Sequence, residues 1–305
     1  MMDLRTVAHQ LGGEVSGQGI LCPGPGHSAR DRSLSVMFSP SAPGGFLVFS
    51  HAGDEPLVAK DFVRQRLGLS LRLEQKVVTE FRAPKSAPPL DPEVGKRAAD
   101  RSALALRIWR EARSPAGTPV ESYLARRGLG LPDNPGEVLR YHDGCPFAGT
   151  HTPAMVALVR NIRTDRPQAI HRTALTLDGH KIKVAGRDRA ALGPITGGAV
   201  KWTPDAEVTT CLGIGEGIES TASLQHLSEF GASPIWSVLN EGGISAFPAL
   251  AGIECLWIAV DHDPAGDRAA RACAGRWRTE DREVFAVKAK APGSDLNDIL
   301  QVRHV

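Results

Sequence analysis

The C-terminal third of the chain alternates between strand-like and helix-like segments, and this alternation constrains the fold more than any other feature. The strand-like segments are VTTCLGI, PIWSVL, ECLWIAV and REVFAVKA, and they are followed in turn by the helical segments GIESTASLQHL, ISAFPAL, PAGDRAARACAGRW and SDLNDIL. Strands that are each followed by a helix form mainly parallel sheets flanked by helices. We therefore predict an α/β domain over residues 206–305, with its ligand site beyond the carboxyl ends of the strands.

Acidic residues occupy two of those strand ends. Glu216 follows the first strand between Gly215 and Gly217, so its carboxylate can project from a tight turn. Asp261 and Asp263 follow the third strand, and alternate residues of an extended segment point the same way. Three close carboxylates repel one another unless a cation neutralises them, and oxygen ligands favour Mg²⁺ or Mn²⁺ over zinc. Turns and helix caps are the other common use of such acids.

The rest of the chain divides into three further segments. Residues 1–75 predict a small α+β module, with strands in SLSVMF and GFLVFSH and a helix near Lys60–Leu67. Residues 76–98 include the proline-rich stretch TEFRAPKSAPPLDPEVG and predict a linker. Residues 99–205 predict helices at Ala98–Ala112 and after Thr118, then strands in EVLRYH, PAMVALVRNI, QAIHRTALT and KIKVAG.

Basic residues are concentrated in the middle of the chain. Between Arg82 and Arg127 there are ten Lys and Arg against five Asp and Glu, an excess of five that suits either a solvated helix face or a nucleic-acid contact. The glycine-punctuated stretch GRDRAALGPITGGAVKW carries Arg187, Arg189 and Lys201, which are suited to phosphate contacts or to an exposed β-turn. His171, in AIHRT, is either a core histidine or a functional one.

Two acidic turns and a later acidic pair resemble a known domain. The EG turn, the DxDxxG turn two strands later and Asp295-Leu-Asn-Asp298 resemble the Toprim domain of primases, topoisomerases and certain nucleases. Upstream, LGPITGGAVKW resembles the basic segment that precedes Toprim in DnaG-type primases and in phage or plasmid primase-like proteins. The resemblance implies an α/β Toprim domain preceded by an α+β primase-like subdomain. It also implies roles for individual residues: catalysis and Mg²⁺ or Mn²⁺ binding by Glu216, Asp261 and Asp263, a further metal ligand in Asp295, and nucleic-acid or nucleotide binding by Arg172, Arg187, Arg189 and Lys201.

The N-terminal module resembles the zinc ribbon of those primases in a degenerate form. Cys22 and His27 stand where the first ligand pair is expected, but the second pair is replaced by a stretch containing Ser50, His51 and Asp54. The only zinc ligands left are Cys22, His27 and His51, and structural zinc sites normally have four strong ligands. We therefore predict that the module folds without tightly bound zinc.

The resemblance implies an enzyme that joins nucleoside triphosphates on single-stranded DNA, as a DNA-directed primase of the RNA polymerase type. A Toprim nuclease using the same acids is an alternative, as is a non-catalytic DNA-binding or loading module of a mobile-element replication system. A topoisomerase needs a tyrosine nucleophile in a DNA-gate domain, and neither Tyr123 nor Tyr141 has that setting. Because no GxxxxGK[ST] motif occurs, the expected replicative helicase is a separate partner.

Composition limits the kinds of surface, cross-link and compartment that we expect for this protein. The net formal charge is only +2, so a nucleic-acid surface must be local. The five cysteines are scattered, which argues against a disulfide framework. No apolar run reaches transmembrane length and the start lacks a signal-peptide core, so we expect a cytoplasmic protein without a membrane partner.

Overall fold

The structure is a computed structural model that describes residues 3–39, 42, 45–54, 56–69, 92–227, 230–231 and 233–303. The chain forms two compact units. The first comprises Met1–Pro89 with the short segments Asp205–Thr209 and Leu250–Ile253, and the second comprises the remaining residues. None of the helices within the described ranges is both long enough and apolar enough to cross a membrane.

Among its described residues, the first unit has a four-stranded antiparallel sheet and two helices. Its elements are α1 (Leu4–Leu11), β1 (Glu14–Ser16), β2 (Gly19–Cys22), β3 (Leu34–Phe38), β4 (Phe46–Ser50) and α2 (Pro56–Arg66), and the strands pair in the order β1-β2-β3-β4. Asp3 caps α1 by accepting a hydrogen bond from the Arg5 N–H, and Gly12 ends the helix with a φ of 69°. Both predicted strands are present, and the predicted second helix begins four residues earlier, at Pro56.

The second unit begins with helices, and the first of them includes part of the predicted linker. Its first elements are α3 (Pro92–Glu111), α4 (Pro119–Arg126) and α5 (Pro135–Val138). Of the predicted linker, residues 76–91 lie outside the described residues, whereas residues 92–98 are helical. Proline is well tolerated in a first helical turn and Glu93 complements the helix dipole there, so the proline that suggested a linker instead begins a helix.

The cap of α4 agrees with the sequence prediction, with one difference. The Thr118 side chain accepts from the Val120 N–H, as expected of an N-cap residue. Glu121 accepts from the N–H of Gly117 at 2.7 Å, one residue before the N-cap position that a standard capping box would use. The Thr118 hydroxyl and the Glu121 carboxylate therefore each accept a hydrogen bond from a backbone N–H group at the start of this helix.

Five strands follow these helices and form an antiparallel region. They are β5 (Leu139–Phe147), β6 (Thr150–Asn161), β7 (Pro167–Ala174), β8 (Arg189–Leu192) and β9 (Gly198–Lys201). The predicted strand KIKVAG is wrong, because that segment makes only single bridges, at Lys181 and Val184. Ala185 and Gly186 both adopt positive φ there and turn the chain back, so the strands form later, inside the glycine-punctuated stretch.

The last third of the chain alternates between strands and helices, as predicted. Its elements are β10 (Cys211–Gly215), α6 (Ile218–Leu227), β11 (Ile235–Ser237), α7 (Glu241–Ala246), β12 (Cys255–Val260), α8 (Pro264–Arg278), β13 (Glu283–Lys288) and α9 (Leu296–Arg303). These strands pair in the order β13-β12-β10-β11, all in parallel. β9 then pairs antiparallel with both β11 and β6, so a sheet with nine strands in the described part of the chain crosses the boundary that we predicted at residues 205/206.

The two faces of β6 contribute to different cores. Ala154, Val156 and Leu158 pack with Ile108 and Trp109 of α3. Met155, Ala157 and Val159 point to the opposite face, whose cluster also includes Tyr123 of α4 and Ile218 and Ala222 of α6. The helix that follows Glu216 is therefore held against the middle of the chain by a shared apolar core.

Candidate active site

The carboxylates predicted to act together follow two adjacent strands. Gly215, the last residue of β10, pairs in parallel register with Ala259 of β12. Glu216 follows the first strand directly, and Asp261 follows the last residue of the second. Because parallel strands end at the same edge of a sheet, the two side chains share one site.

Two glycines allow the close backbone approach at these turns. A Cβ on Gly215 would lie 2.8 Å from the Cβ of Ala259 and 2.5 Å from Oγ1 of Thr221. A Cβ on Gly266 would lie 2.5 Å from the carbonyl oxygen of Asp261. Such distances leave no room for a side chain, so Gly266 accounts physically for the glycine of the DxDxxG pattern.

Electrostatics show that the acids act on one another. Burial raises the pKa of Glu216, and the neighbouring charge of Asp261 raises it further. Burial likewise raises the pKa of Asp261 to about 6, with added contributions from Asp295 and Asp263. The positive charge of Arg189 opposes both shifts.

The other two predicted ligands also have structural roles. Asp263 caps α8, with its Oδ1 accepting from the Gly266 N–H at 2.7 Å. Asp295 and Asp298 bond reciprocally, because the N–H of each donates to a carboxylate oxygen of the other at 3.1 and 2.9 Å. Each of these acids uses one carboxylate oxygen in a cap and has a second one for a ligand.

The donor set suits a hard divalent cation. Neighbouring carboxylates raise the proton affinities of Glu216 and Asp261, which is the situation that Mg²⁺ or Mn²⁺ relieves. Within the described part of the chain, no three His, Cys, Asp or Glu side chains are close enough together to enclose a metal ion. Mg²⁺ retains several waters and needs only one or two carboxylates, so Glu216 and Asp261 would be its direct ligands.

Family models match two stretches of this chain. Residues 99–202 match a family described as a domain of unknown function, DUF7146, and residues 211–304 match the Toprim domain. The second match begins at the first residue of β10 and spans both acidic turns and the whole parallel sheet. Residues 211–304 are a Toprim domain.

Solved primase structures are similar to this chain at low identity. The primase fragment of the bacteriophage T7 primase-helicase protein is 14% identical, with 64% of this chain and 71% of that chain covered and a TM-score of 0.40. The zinc-binding and RNA polymerase domains of the Aquifex aeolicus primase are 13% identical, with 97% and 79% covered and a TM-score of 0.42. No curated protein sequence matches this chain.

Arg189 is the predicted basic residue that lies at the Toprim carboxylates. It begins β8, and its side chain is 45% exposed. Its guanidinium borders the Glu216 turn, because a Cβ on Gly217 would lie 3.9 Å from the Nη1 atom. Arg187 lies in the turn before β8, and its side chain is exposed.

Arg172 and Lys201 are placed differently from the prediction. Arg172 is 8% exposed and donates to the carbonyl oxygens of Pro146, Ala190 and Ala191. Lys201 is 4% exposed, pairs with Asp165 at 3.0 Å and lies over the Trp236 ring. Both cations are buried and make these contacts within the protein, so the structure does not support them as nucleic-acid contacts.

A buried polar pair beside the Toprim acids was not predicted. The Tyr123 hydroxyl donates to Oε1 of Glu219, one turn after Glu216, and both side chains are buried. Nearby, burial lowers the pKa of His171 to about 4, and its Nδ1 has no hydrogen-bond partner among the described residues. No local pattern links a tyrosine on α4 with a glutamate 96 residues later, so only the tertiary structure reveals this pair.

The residues proposed as zinc ligands do not come together. His27 is bound by two carboxylates, with Nδ1 2.9 Å from Asp31 and Nε2 3.1 Å from Asp54. His51 instead contacts the Ser35 hydroxyl on the neighbouring strand, at 3.0 Å. Burial raises the pKa of the Cys22 thiol to about 11, which disfavours the thiolate.

Proposed function

We propose that this protein is a DNA primase-like nucleotidyltransferase that acts on single-stranded DNA. The observation that carries the proposal is the convergence of Glu216 and Asp261 at adjacent strand ends of a Toprim domain, where the charge of Asp261 raises the pKa of Glu216 and neighbouring aspartates raise the pKa of Asp261. A repulsive pair at this position suits divalent cations and the phosphates that such cations bind.

Each residue then has a distinct task. Glu216 and Asp261 would hold Mg²⁺ or Mn²⁺, while the second carboxylate oxygens of Asp263 and Asp295 would bind metal-coordinated water. When bound, the ions would neutralise the triphosphate and activate the primer 3′ oxygen. Arg189, half-exposed beside the Glu216 turn, would pair with a phosphate of the incoming nucleoside triphosphate.

The proposed partners follow from this activity. They are single-stranded DNA, nucleoside triphosphates and a separate replicative helicase. Arg187, exposed two residues before Arg189, would contact the backbone of the DNA strand. Arg172 and Lys201 are omitted from this surface because both are buried and paired.

A second candidate is a Toprim nuclease that uses the same carboxylates. One structural observation favours keeping it: two of the four basic residues expected to bind nucleotide or template are occupied inside the protein. A nuclease needs no site for an incoming triphosphate, so a smaller basic surface suits it better than it suits a primase.

One experiment separates these functions. The full chain is incubated with single-stranded DNA and labelled ribonucleoside or deoxyribonucleoside triphosphates, with Mg²⁺ or Mn²⁺. Template-dependent products that grow with time support the primase, shortening of the DNA supports the nuclease, and loss of both activities in Asp261→Asn assigns them to the site. Unchanged DNA and nucleotides under all conditions would overturn both candidates and favour a non-catalytic DNA-binding or loading module.

A further inference from the structure

A row of aromatic rings lies across the middle of the Toprim strands, on the N-terminal side of the carboxylates. Phe230 contacts Trp257 with ring centroids 5.6 Å apart, and Trp257 stacks on Phe285 at 4.8 Å with 27° between the ring planes. Trp257 pairs in register with Gly213 on one side and Phe285 on the other, so these positions share one face. A Cβ on Gly213 would lie 2.9 Å from the Phe230 ring, so the glycine makes room for the row.

A cleft of about 680 Å³ opens beside these rings. Glu254, Asp281 and Glu283 line it, all three residues are exposed, and no lysine or arginine lines it. None of the three carboxylates has an ion-pair partner in the part of the chain that the structure describes. The cleft therefore combines exposed aromatic surface with uncompensated negative charge.

This combination selects a cationic occupant. A guanidinium stacks on aromatic faces and pairs with carboxylates through its planar set of donors, so arginine uses both features of the cleft at once. DNA is disfavoured, because its phosphates would meet three like charges. A purely apolar ligand would leave the three carboxylates without partners.

The strand that borders the cleft favours an extended peptide. β13 is the last strand of the sheet within the described residues, and Phe285 on it is 44% exposed. An edge strand presents backbone N–H and C=O groups that an added peptide strand can pair with. Alternate side chains of such a peptide would then lie over the same face as Trp257 and Phe285.

We propose that Glu254, Trp257, Asp281, Glu283 and Phe285 form a docking cleft for an extended, arginine-bearing segment of a partner protein. The cleft lies at the start of β10, β12 and β13, whereas the Toprim acids follow the ends of β10 and β12. Docking there leaves the candidate active site open. The proposal does not depend on which reaction that site performs.

A synthetic peptide serves as the probe. A fluorescent heptapeptide of alternating arginine and valine is titrated with the full chain, and its anisotropy is compared with that of a peptide carrying glutamate in place of arginine. We expect binding of the arginine peptide alone. Phe285→Ala and Glu283→Gln should each weaken it about fivefold or more, through loss of ring contact and of charge pairing.

Matched variants control for general loss of aromatic surface or charge. Phe49→Ala removes a ring that is 61% exposed in the other unit, and Asp100→Asn removes an exposed charge on α3, so neither should change the affinity. Thermal melts confirm that each variant is folded. Asp261→Asn tests whether the peptide binds at the active-site carboxylates instead.

Several results would overturn the proposal. They are equal binding of both peptides, undiminished affinity in Phe285→Ala and Glu283→Gln, and loss of affinity in Asp261→Asn alone. A concentration-dependent dimer that Phe285→Ala abolishes, without peptide binding, would instead identify a second copy of the chain as the occupant. Loss of single-stranded DNA binding in Glu283→Gln would indicate a nucleic-acid surface.

Discussion

The Tyr123 hydroxyl donates a hydrogen bond to the Glu219 carboxylate and joins α4 to the first turn of α6. Burial acts against the charge of Glu219, but this hydrogen bond, with Lys181 and Arg189 nearby, holds its pKa below the ordinary value. Burial and Glu219 together raise the pKa of Tyr123, so the phenol remains the donor. The pair joins α4 to the helix that starts beside Glu216, so Tyr123 and Glu219 are positioning residues for that helix.

Removing the Tyr123 hydroxyl should destabilise the second unit. Tyr123→Phe leaves a buried carboxylate without its partner, which costs about 1–3 kcal/mol of unfolding free energy. Urea denaturation measures the loss. Tyr141→Phe is the matched control, because the neighbouring Asp143 is exposed and water can replace the lost bond. Equal losses of unfolding free energy in the two variants would show that the hydrogen bond to Glu219 contributes no more to stability than an exposed one.

Neutralising Asp261 should abolish activity and leave the fold intact. Burial and neighbouring acids raise the pKa of this carboxyl, so its charge is a cost in the metal-free protein, and Asp261→Asn should melt at the same temperature or higher. The metal-dependent rate should fall about 10²-fold or more, as happens when an electrostatic group at a reacting centre is lost. Asp267→Asn, which loses only a surface pair with Lys288, should keep its rate. A normal rate in Asp261→Asn would remove Asp261 from the mechanism.

The Toprim fold, and the position of its acids at strand ends, were predictable because their signals are local. Strand and helix periodicities alternate over short windows, Glu216 and Asp261 directly follow strands, and Asp263 comes two residues later. The pairing of β9 with β11 joins segments more than 30 residues apart, and nothing in either segment specifies that partner. The sequence therefore could not predict that one sheet continues across residues 205/206.

The roles of the basic residues were not predictable for a related reason. Alternate side chains of β7 point to opposite faces of the sheet, so His171 and Arg172 lie on different faces. The sequence does not say which of these two faces packs against α3. Lys201 is paired by Asp165, which lies in a turn between two earlier strands. The sequence supplies the charge, and only tertiary packing decides whether the charge is free for a phosphate.

The stability of the first unit should peak in mildly acidic solution. The hydrogen bond with Asp31 raises the pKa of His27, so the contribution of His27 is complete below about pH 6.5 and is lost as the pH rises through the raised value. Hydrogen bonds from Ser33 and His27 lower the pKa of Asp31, so its contribution is present above about pH 4 and is lost as the pH falls further. Both contributions coexist between these limits.

Protection of residues 3–69 against hydrogen exchange, corrected for intrinsic rates, measures this window. His27→Gln should remove the decline on the alkaline side, whereas His9→Gln, an exposed histidine on α1, should leave it in place. A protection profile that is flat with pH in the unmodified chain would show that the contacts of His27 with Asp31 and Asp54 contribute nothing to the unit.

A chelator should not destabilise the first unit. His27 is already held by Asp31 and Asp54, and His51 contacts Ser35, so no four strong ligands meet within the described residues of this unit. A true structural zinc site contributes directly to folding, and its removal unfolds the domain. We expect elemental analysis to find no stoichiometric zinc and thermal melts to be the same with and without chelator. One zinc per chain, with a chelator-induced fall in melting temperature, would contradict this.

The salt dependence of DNA binding should distinguish exposed from buried basic residues. Each phosphate contact on single-stranded DNA contributes about 0.7 to the slope of log affinity against log salt. Replacing Arg187 and Arg189 together by alanine should therefore reduce the magnitude of the slope by about 1 to 1.5. Lys201→Gln is the matched control: it breaks the buried pair with Asp165 and should cost on the order of 3 kcal/mol of stability, while the slope stays unchanged. A slope that changes in Lys201→Gln and not in the double variant would reverse our assignment of the nucleic-acid surface.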